Sequence, residues 1–227
     1  MKLAQKIAEI KEQIHVKVKV VAVSKYVDSS VIREAYALGL RDFGESRIQD
    51  AKQKKEELQD LKDLNWHLVG HLQTNKVKEA IKIFDWIHSV DSLRLAKLIN
   101  EETKVCKNEK GFHPPKLLLQ VKLADDSSPA SFGKFGFAVP ELLEALPEIS
   151  KLENLQMKGL MTILPRGLPS DENFRLFSAL ADLQKQIQEK NFSNISLDEL
   201  SMGMSGDYLE AIRAGSTMLR VGRFLFT

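Results

Sequence analysis

Short apolar runs alternate with amphipathic segments along most of the chain. The first run, 16–23, is rich in valine and is unbroken apolar sequence from 20 to 23, a pattern typical of a strand buried on both faces in a parallel sheet. Apolar residues at helical spacing precede it in 2–14 and follow it in 31–38, where Gly39 ends the pattern. These segments predict a helix, a strand and a second helix.

The same alternation continues to the end of the chain. Further strands are predicted at 40–43, 66–70, 86–90, 117–123, 155–163, 199–202 and 218–221. Further helices are predicted at 48–61, 75–83, 140–146, 171–190 and 208–214, with one more after Asp91 or Ser92. Strands connected through helices form parallel sheets, and eight such units in 227 residues favour a closed (β/α)8 barrel over an open doubly wound sheet. No dinucleotide-binding glycine fingerprint follows the first strand, which also disfavours the open sheet.

No linker rich in Pro or Ser divides the chain, so we expect one domain that spans residues 1–227. The segment 125–136 contains several Ser and Gly residues and predicts a long loop. Such a length is typical of functional loops and equally of loops that are merely flexible.

The composition excludes several classes of partner. The 33 basic and 31 acidic residues give a net charge of +2, which offers no electrostatic basis for binding nucleic acid or an anionic membrane. No apolar run approaches membrane-spanning length, and the N-terminal pattern is that of an amphipathic helix rather than a signal peptide. The one cysteine, Cys106, cannot form an internal disulfide, so we expect a reducing, cytoplasmic location.

Lys25, at the end of the first predicted strand, is the first candidate for chemistry. The functional face of a (β/α)8 barrel lies at the carboxyl ends of its strands. A lysine there holds its amine at the mouth of the core, where partial burial would disfavour the ammonium form. Schiff-base chemistry requires a neutral amine. A surface lysine just past a strand is the competing interpretation.

Other polar clusters follow other predicted strands, at 44–47, 70–76, 161–162, 201–205 and 220–223. The last two suggest an anion site, because Gly222 lets backbone N–H groups approach a phosphate and Ser205 adds a hydroxyl at the start of a helix. Arg220 could face a ring nitrogen or an anion. The alternatives are a simple turn at Gly222, a simple helix cap at Ser205, and an ion pair between Arg220 and Asp207 or Glu210.

His67 and His71 are four residues apart, a spacing that binds metal on a helix. His67 falls in a predicted strand, however, and no further Cys or His cluster completes a zinc set. We therefore expect no metal site.

Seven stretches in order between residues 21 and 223 carry a family resemblance. They are VAVSKY, FGESRIQD, WHLVGHLQTNK, SFGKFGF, GLMTILP, SMGMSGDYLEAIRAGST and LRVGR. On these motifs the chain resembles the pyridoxal phosphate homeostasis proteins, a family of single (β/α)8 barrels similar to the N-terminal domain of alanine racemase. The resemblance implies pyridoxal 5'-phosphate (PLP) held as a Schiff base, and a role in intracellular vitamin B6 homeostasis without strong catalytic activity.

The resemblance also implies a role for each of five residues. Lys25 would form the Schiff base, and Ser205 with the backbone at Gly222 and Arg223 would bind the phosphate. Arg220 would face the pyridine nitrogen. Because arginine keeps its proton, that nitrogen would stay unprotonated, and the ring would be a weaker electron sink than one paired with an acid.

Four further residues complete the expected site. His71, Asn75 and Met204 would line the pocket, and Ser46 is included at a position where family members often carry Asn. The alternative functions are a PLP-dependent amino-acid racemase or lyase, and a barrel that acts only as an interaction scaffold. PLP-dependent apo-enzymes are the protein partners that homeostasis would imply, and we expect a monomer.

Overall fold

The computed structural model describes residues 2–14, 18–123 and 135–227. The strands are Lys19–Val23 (β1), Asp42–Glu45 (β2), Asn65–Leu68 (β3), Trp86–Val90 (β4), Lys116–Lys122 (β5), Phe137–Ala138 (β6), Gln156–Met161 (β7), Ile195–Ser201 (β8) and Met218–Val221 (β9). The helices are Leu3–Gln13 (α1), Ser29–Ala37 (α2), Ile48–Glu57 (α3), Val77–Ile83 (α4), Leu93–Cys106 (α5), Val139–Ile149 (α6), Ser170–Gln188 (α7), Tyr208–Arg213 (α8) and Arg223–Phe226 (α9), with a 3-10 turn at Thr74–Lys76.

The strands close into a parallel barrel. Their order is β4-β3-β2-β1-β9-β8-β7-β5, and a further pairing of β4 with β5 completes the ring. The short strand β6 extends the edge of β5 outside this ring. The predicted (β/α)8 barrel is therefore confirmed. Along these parts of the chain, no helix combines the length and apolar character needed to span a bilayer.

The barrel wall has an outer face that packs on the helices and an inner face that lines the barrel. Side chains alternate between the two faces of a strand. On β3, Trp66 and Leu68 belong to the large apolar cluster that also includes the helices, so His67 between them faces inward. On β9, Leu219 belongs to the same cluster, and Arg220 faces inward. The inner face therefore carries polar side chains that the apolar pattern of the strands did not predict.

Most predicted elements are present, with shifted ends. β8 begins at Ile195, before the predicted 199, and α3 ends at Glu57, before the predicted 61. The short elements β6 and α9 were not predicted, because two and four residues are too few to show a period. The start of the first predicted strand and most of the loop 125–136 lie outside the described residues.

Candidate functional site

A cavity of about 510 Å³ opens at the carboxyl ends of the barrel strands. This volume is within the range of small-molecule sites. Eight of the nine predicted site residues line it: Lys25, Ser46, His71, Met204, Ser205, Arg220, Gly222 and Arg223. The ninth, Asn75, lies exposed in the 3-10 turn and is not among the lining residues. The contacts of all nine residues with a ligand stay a prediction.

Lys25 is exposed rather than partly buried, which agrees with the competing interpretation of a surface lysine just past a strand. The backbone of Ser24 still pairs with β2, through its N–H and the carbonyl of Gly44, and Ser24 is fully buried. Lys25 is the first residue beyond this pairing, in the turn that follows. Its Nζ lies 4.8 Å from the ring centroid of Tyr26, which is itself 84% exposed. The amine is thus accessible at the rim of the cavity.

A buried ion pair supports the residue before Lys25. Lys54 of α3 donates from Nζ to Glu45 Oε1 at 2.7 Å and to the Ser24 carbonyl at 2.8 Å. The Ser24 hydroxyl donates to the same Oε1 at 2.7 Å. Glu45 is fully buried, and within the described residues its Oε2 has no hydrogen-bond partner. This cluster was not predicted, because Glu45 and Lys54 lie on different elements.

The loops after β8 and β9 form a cradle of donors, defined here as residues 204–206 with 222–223. Ser205 Oγ accepts a hydrogen bond from the N–H of Phe224 at 3.1 Å, which joins the two loops. Asp207 shapes the first loop, since its Oδ1 accepts from Met204 N at 2.5 Å and its own N–H donates to the Met204 carbonyl. The first N–H groups of α9 have no partner within the helix. The cradle can therefore accept an anion.

Gly222 lets this cradle pack closely against β1. A Cβ at this position would lie 3.0 Å from the carbonyl oxygen of Val23 and 3.2 Å from its Cβ. β9 pairs directly with β1 on one side and with β8 on the other. The cradle and the turn of Lys25 are consequently neighbours around one side of the cavity.

Arg220 is buried at the floor of the cavity, with 4% of its surface exposed. Its Nη1 donates to the carbonyl and hydroxyl oxygens of Ser201, at 2.7 and 2.5 Å, and Nη2 donates to the Thr162 carbonyl at 2.7 Å. Burial lowers its pKa to about 10, and the nearby charge of Asp207 opposes that change. The guanidinium is thus charged at neutral pH. Three of its five N–H groups bind described residues, which leaves two for a ligand.

The structure distinguishes between the alternative roles of Arg220 and of Ser205. Arg220 hydrogen-bonds to Ser201 and Thr162 rather than to Asp207 or Glu210. Ser205 does cap the start of α9, and it lines the cavity as well.

His71 lies at the lip of the cavity, and His67 lies elsewhere. His71 Nδ1 is 3.1 Å from Asp91 Oδ2, and its ring stacks on Phe135 with 3.8 Å between centroids. His67 is fully buried inside the barrel, where it contacts Asp42 and His88. The described residues contain no group of three or more His, Cys, Asp or Glu side chains that could hold a metal ion.

Known proteins are similar to this chain in both sequence and fold. Residues 1–227 match the family described as alanine racemase, N-terminal domain. A pyridoxal phosphate homeostasis protein from Synechocystis sp. is 44% identical over 92% of this chain and 90% of its own. The protein of the same name from Pseudomonas aeruginosa is 41% identical over 92% of this chain and 84% of its own.

Two solved structures have the same fold as this chain. PipY of Synechococcus elongatus, solved with PLP bound, is 41% identical, with a TM-score of 0.90 over 100% of both chains. An alanine racemase from Clostridium difficile shares the fold, with a TM-score of 0.78 at 15% identity over 99% of this chain and 56% of its own. The chain therefore belongs to the alanine racemase N-terminal domain family, among the pyridoxal phosphate homeostasis proteins.

Proposed function

We propose that this chain binds PLP in the cavity at the carboxyl ends of the strands and serves intracellular PLP homeostasis without strong catalytic activity. One observation carries the proposal. An accessible amine, Lys25, and a cradle of donors on adjacent strands line the same cavity. PLP requires both, because it presents a phosphate at one end and an aldehyde that condenses with an amine at the other.

The chemistry of the lining residues fits this cofactor. Lys25 holds PLP covalently as a Schiff base, and its exposure gives the cofactor free access to the amine. Ser205 and the backbone N–H groups of Gly222 and Arg223 hold the phosphate, since the N–H of Arg223, the first residue of α9, has no acceptor within that helix. Ser46, His71 and Met204 line the rest of the cavity. Asn75 is exposed and is not among the lining residues, so its place in the site rests on the family resemblance alone.

Arg220 supports a binding role over a strongly catalytic one. It remains charged at neutral pH, with a pKa of about 10. A charged guanidinium has only N–H donors to offer a pyridine nitrogen, so it binds the unprotonated ring. An unprotonated ring withdraws electrons less strongly than a protonated one, which limits carbanion chemistry.

Three finer points belong to the same proposal. The protein acts in the cytoplasm, where its one cysteine, the buried Cys106, stays reduced. It acts as a monomer. PLP-dependent apo-enzymes are its expected protein partners, and PLP is passed to them or withheld from them.

A spectroscopic titration tests the proposal. Apo-protein titrated with PLP should develop the visible absorbance of a lysine-bound cofactor, and Lys25→Ala should not develop it. Lys52→Ala is a matched control, because Lys52 is exposed on α3 and lies outside the cavity. A wild-type protein that stays colourless would instead favour the interaction scaffold.

A further inference from the structure

A line of buried polar side chains crosses the barrel interior and ends at Arg220. His67 Nε2 lies 2.9 Å from Asp42 Oδ1, and His67 Nδ1 lies 2.9 Å from His88 Nε2. His88 Nδ1 in turn lies 2.9 Å from Ser201 Oγ, which accepts from Arg220 Nη1 at 2.5 Å. His67, His88 and Ser201 are all fully buried. The four contacts form one continuous chain of hydrogen bonds.

The two ends of this chain fix the direction of every bond in it. Arg220 can only donate, so Ser201 Oγ accepts from it and has its own proton to give to His88 Nδ1. At the other end, a carboxylate can only accept, so His67 Nε2 carries a proton for Asp42. With Nδ1 of His88 as an acceptor, its Nε2 carries the proton and donates to His67 Nδ1. Each neutral imidazole then donates once and accepts once.

Other protonation states leave the chain worse satisfied. A doubly protonated His67 would donate from Nδ1 to His88 Nε2, and His88 Nδ1 would then donate to Ser201 Oγ. The Ser201 hydroxyl proton would have no acceptor within the hydrogen-bond chain. Double protonation of His67 would also bury an added positive charge near Lys19, whose Nζ lies 4.4 Å from the ring centroid of Trp86. Trp86 stacks on His67 at 5.7 Å between centroids. Asp42 would offset part of that charge, but burial of the charged imidazole outweighs the offset and lowers the pKa of His67.

We infer that Asp42, His67, His88 and Ser201 form a one-directional hydrogen-bond chain that positions Arg220, with each imidazole neutral and protonated on Nε2. The four are positioning residues, since they reach the cavity only through Arg220. Ser201 supplies two of the three bonds that hold the guanidinium, through its carbonyl and its hydroxyl. Any effect of this positioning on PLP binding rests on the proposed function, whereas the hydrogen-bond chain does not depend on it.

Nitrogen NMR of the apo-protein tests the chain without any cofactor. We expect ¹⁵N spectra to show His67 and His88 with a protonated Nε2 and an unprotonated Nδ1 at pH 7. A protonated Nδ1 on either residue, or an imidazolium, would overturn the inference. This measurement needs no variant of the chain residues, so a failure of any variant to fold does not affect it.

Asp42→Asn tests whether the carboxylate helps to set the direction. The amide can donate or accept, so only Arg220 then sets the direction, and we expect the Nε2-protonated tautomers to remain the major form beside a measurable minor population protonated on Nδ1. Asp85→Asn is the matched control. Asp85 is an exposed carboxylate near His67 that accepts from the N–H of Trp66 outside the chain. It should leave both tautomers unchanged. A switch of both imidazoles to mainly Nδ1–H in Asp42→Asn, or equal changes in both variants, would contradict the proposed direction.

Ser201→Ala tests the positioning of Arg220. The guanidinium loses one charge-assisted bond, so its rotation about the Nε–Cζ bond, measured by ¹⁵N exchange NMR, should become about tenfold faster. Ser196→Ala changes a half-buried serine on the same strand that bonds to Asp198 outside the hydrogen-bond chain, and it should not change that rate. An unchanged rate in Ser201→Ala would exclude the positioning role. If the rate rises as expected while the wild-type protein binds no PLP, the proposed function is wrong but the inference about the hydrogen-bond chain is supported.

Discussion

Lys54 and Ser24 are joined by a 2.8 Å hydrogen bond from the lysine Nζ to the serine carbonyl oxygen. This bond ties α3 to the residue that precedes Lys25. The same Nζ neutralises Glu45, a fully buried carboxylate. The buried ion pair between Lys54 and Glu45 therefore stabilises the turn that carries Lys25.

Removing the cation of that pair should be costly. Lys54→Met leaves the Glu45 carboxylate buried without its partner, so we expect the free energy of unfolding to fall by about 3 kcal/mol or more. Urea denaturation measures this change. Lys52→Met on the exposed face of α3 is the control and should change stability by less than about 0.5 kcal/mol. Adding Glu45→Gln to Lys54→Met should recover part of the loss. A Lys54→Met protein as stable as its control would contradict this role.

The two histidines inside the barrel should make stability depend on pH. Burial lowers the pKa of both His67 and His88, and the positive charges nearby lower that of His88 further. The unfolded chain then binds more protons than the folded chain below the unfolded-state pKa of about 6.5, so stability is lost as pH falls through that value. If both imidazoles stay neutral in the folded state, lowering the pH from 7.5 to 5.5 costs about 1.4 kcal/mol for each of them.

Urea denaturation at several pH values between 7.5 and 5.5 measures this loss directly. A flat profile across that window would mean that at least one opposing group titrates there, or that the two imidazoles are protonated in the folded state. The second case would also conflict with the expected Nε2–H tautomers.

The close approach of the cradle to β1 should make Gly222 sensitive to a single methyl group. Gly222→Ala places a Cβ 3.0 Å from the Val23 carbonyl oxygen, so the loop must move away from β1. We expect PLP to bind about tenfold more weakly, as measured by absorbance titration, since a lost charge-assisted bond to the phosphate costs roughly 1.4 kcal/mol or more. Gly206→Ala is the comparison, because a Cβ there meets no atom within 4 Å. Equal affinities for the two variants would refute the packing argument.

A PLP homeostasis protein and a PLP-dependent enzyme differ in whether they turn over amino acids. The protein loaded with PLP and incubated with a panel of amino acids in heavy water should place no solvent deuterium at Cα, because the charged Arg220 would, in the proposed pose, face the ring nitrogen and disfavour carbanion chemistry. Mass spectrometry of the amino acids gives the answer. Deuterium that appears with the wild-type protein and disappears with Lys25→Ala would establish the racemase or lyase alternative instead.

The barrel was predictable from the sequence, because buried parallel strands give apolar runs and the helices between them give a 3.6-residue period. The cavity side chains were predictable in position, since the loops that follow parallel strands meet at one end of a barrel. Lys25 was placed at the right strand end, but the sequence left open whether its side chain is partly buried or exposed. The exposure of Lys25 depends on where the pairing of its segment with β2 stops, and buried Ser24 makes the last backbone contact with β2.

The polar groups that support the site could not be found in this way. Asp42, His67, His88 and Ser201 lie on four different strands, and they meet only because the barrel closes. His67 was considered only as a partner for His71, on the basis of spacing along the chain. Side chains on the inner face of a barrel pair across strands, so their partners are separated by 21 to 113 residues in sequence.

Borohydride reduction of the PLP-loaded protein followed by peptide mass mapping tests the central proposal most directly. Reduction fixes a pyridoxyl group on whichever lysine holds the cofactor. We predict a single modified peptide, with the added mass on Lys25 and none on Lys52 or Lys54. A pyridoxyl group on another lysine, or no modified peptide from a protein that has taken up PLP, would contradict it.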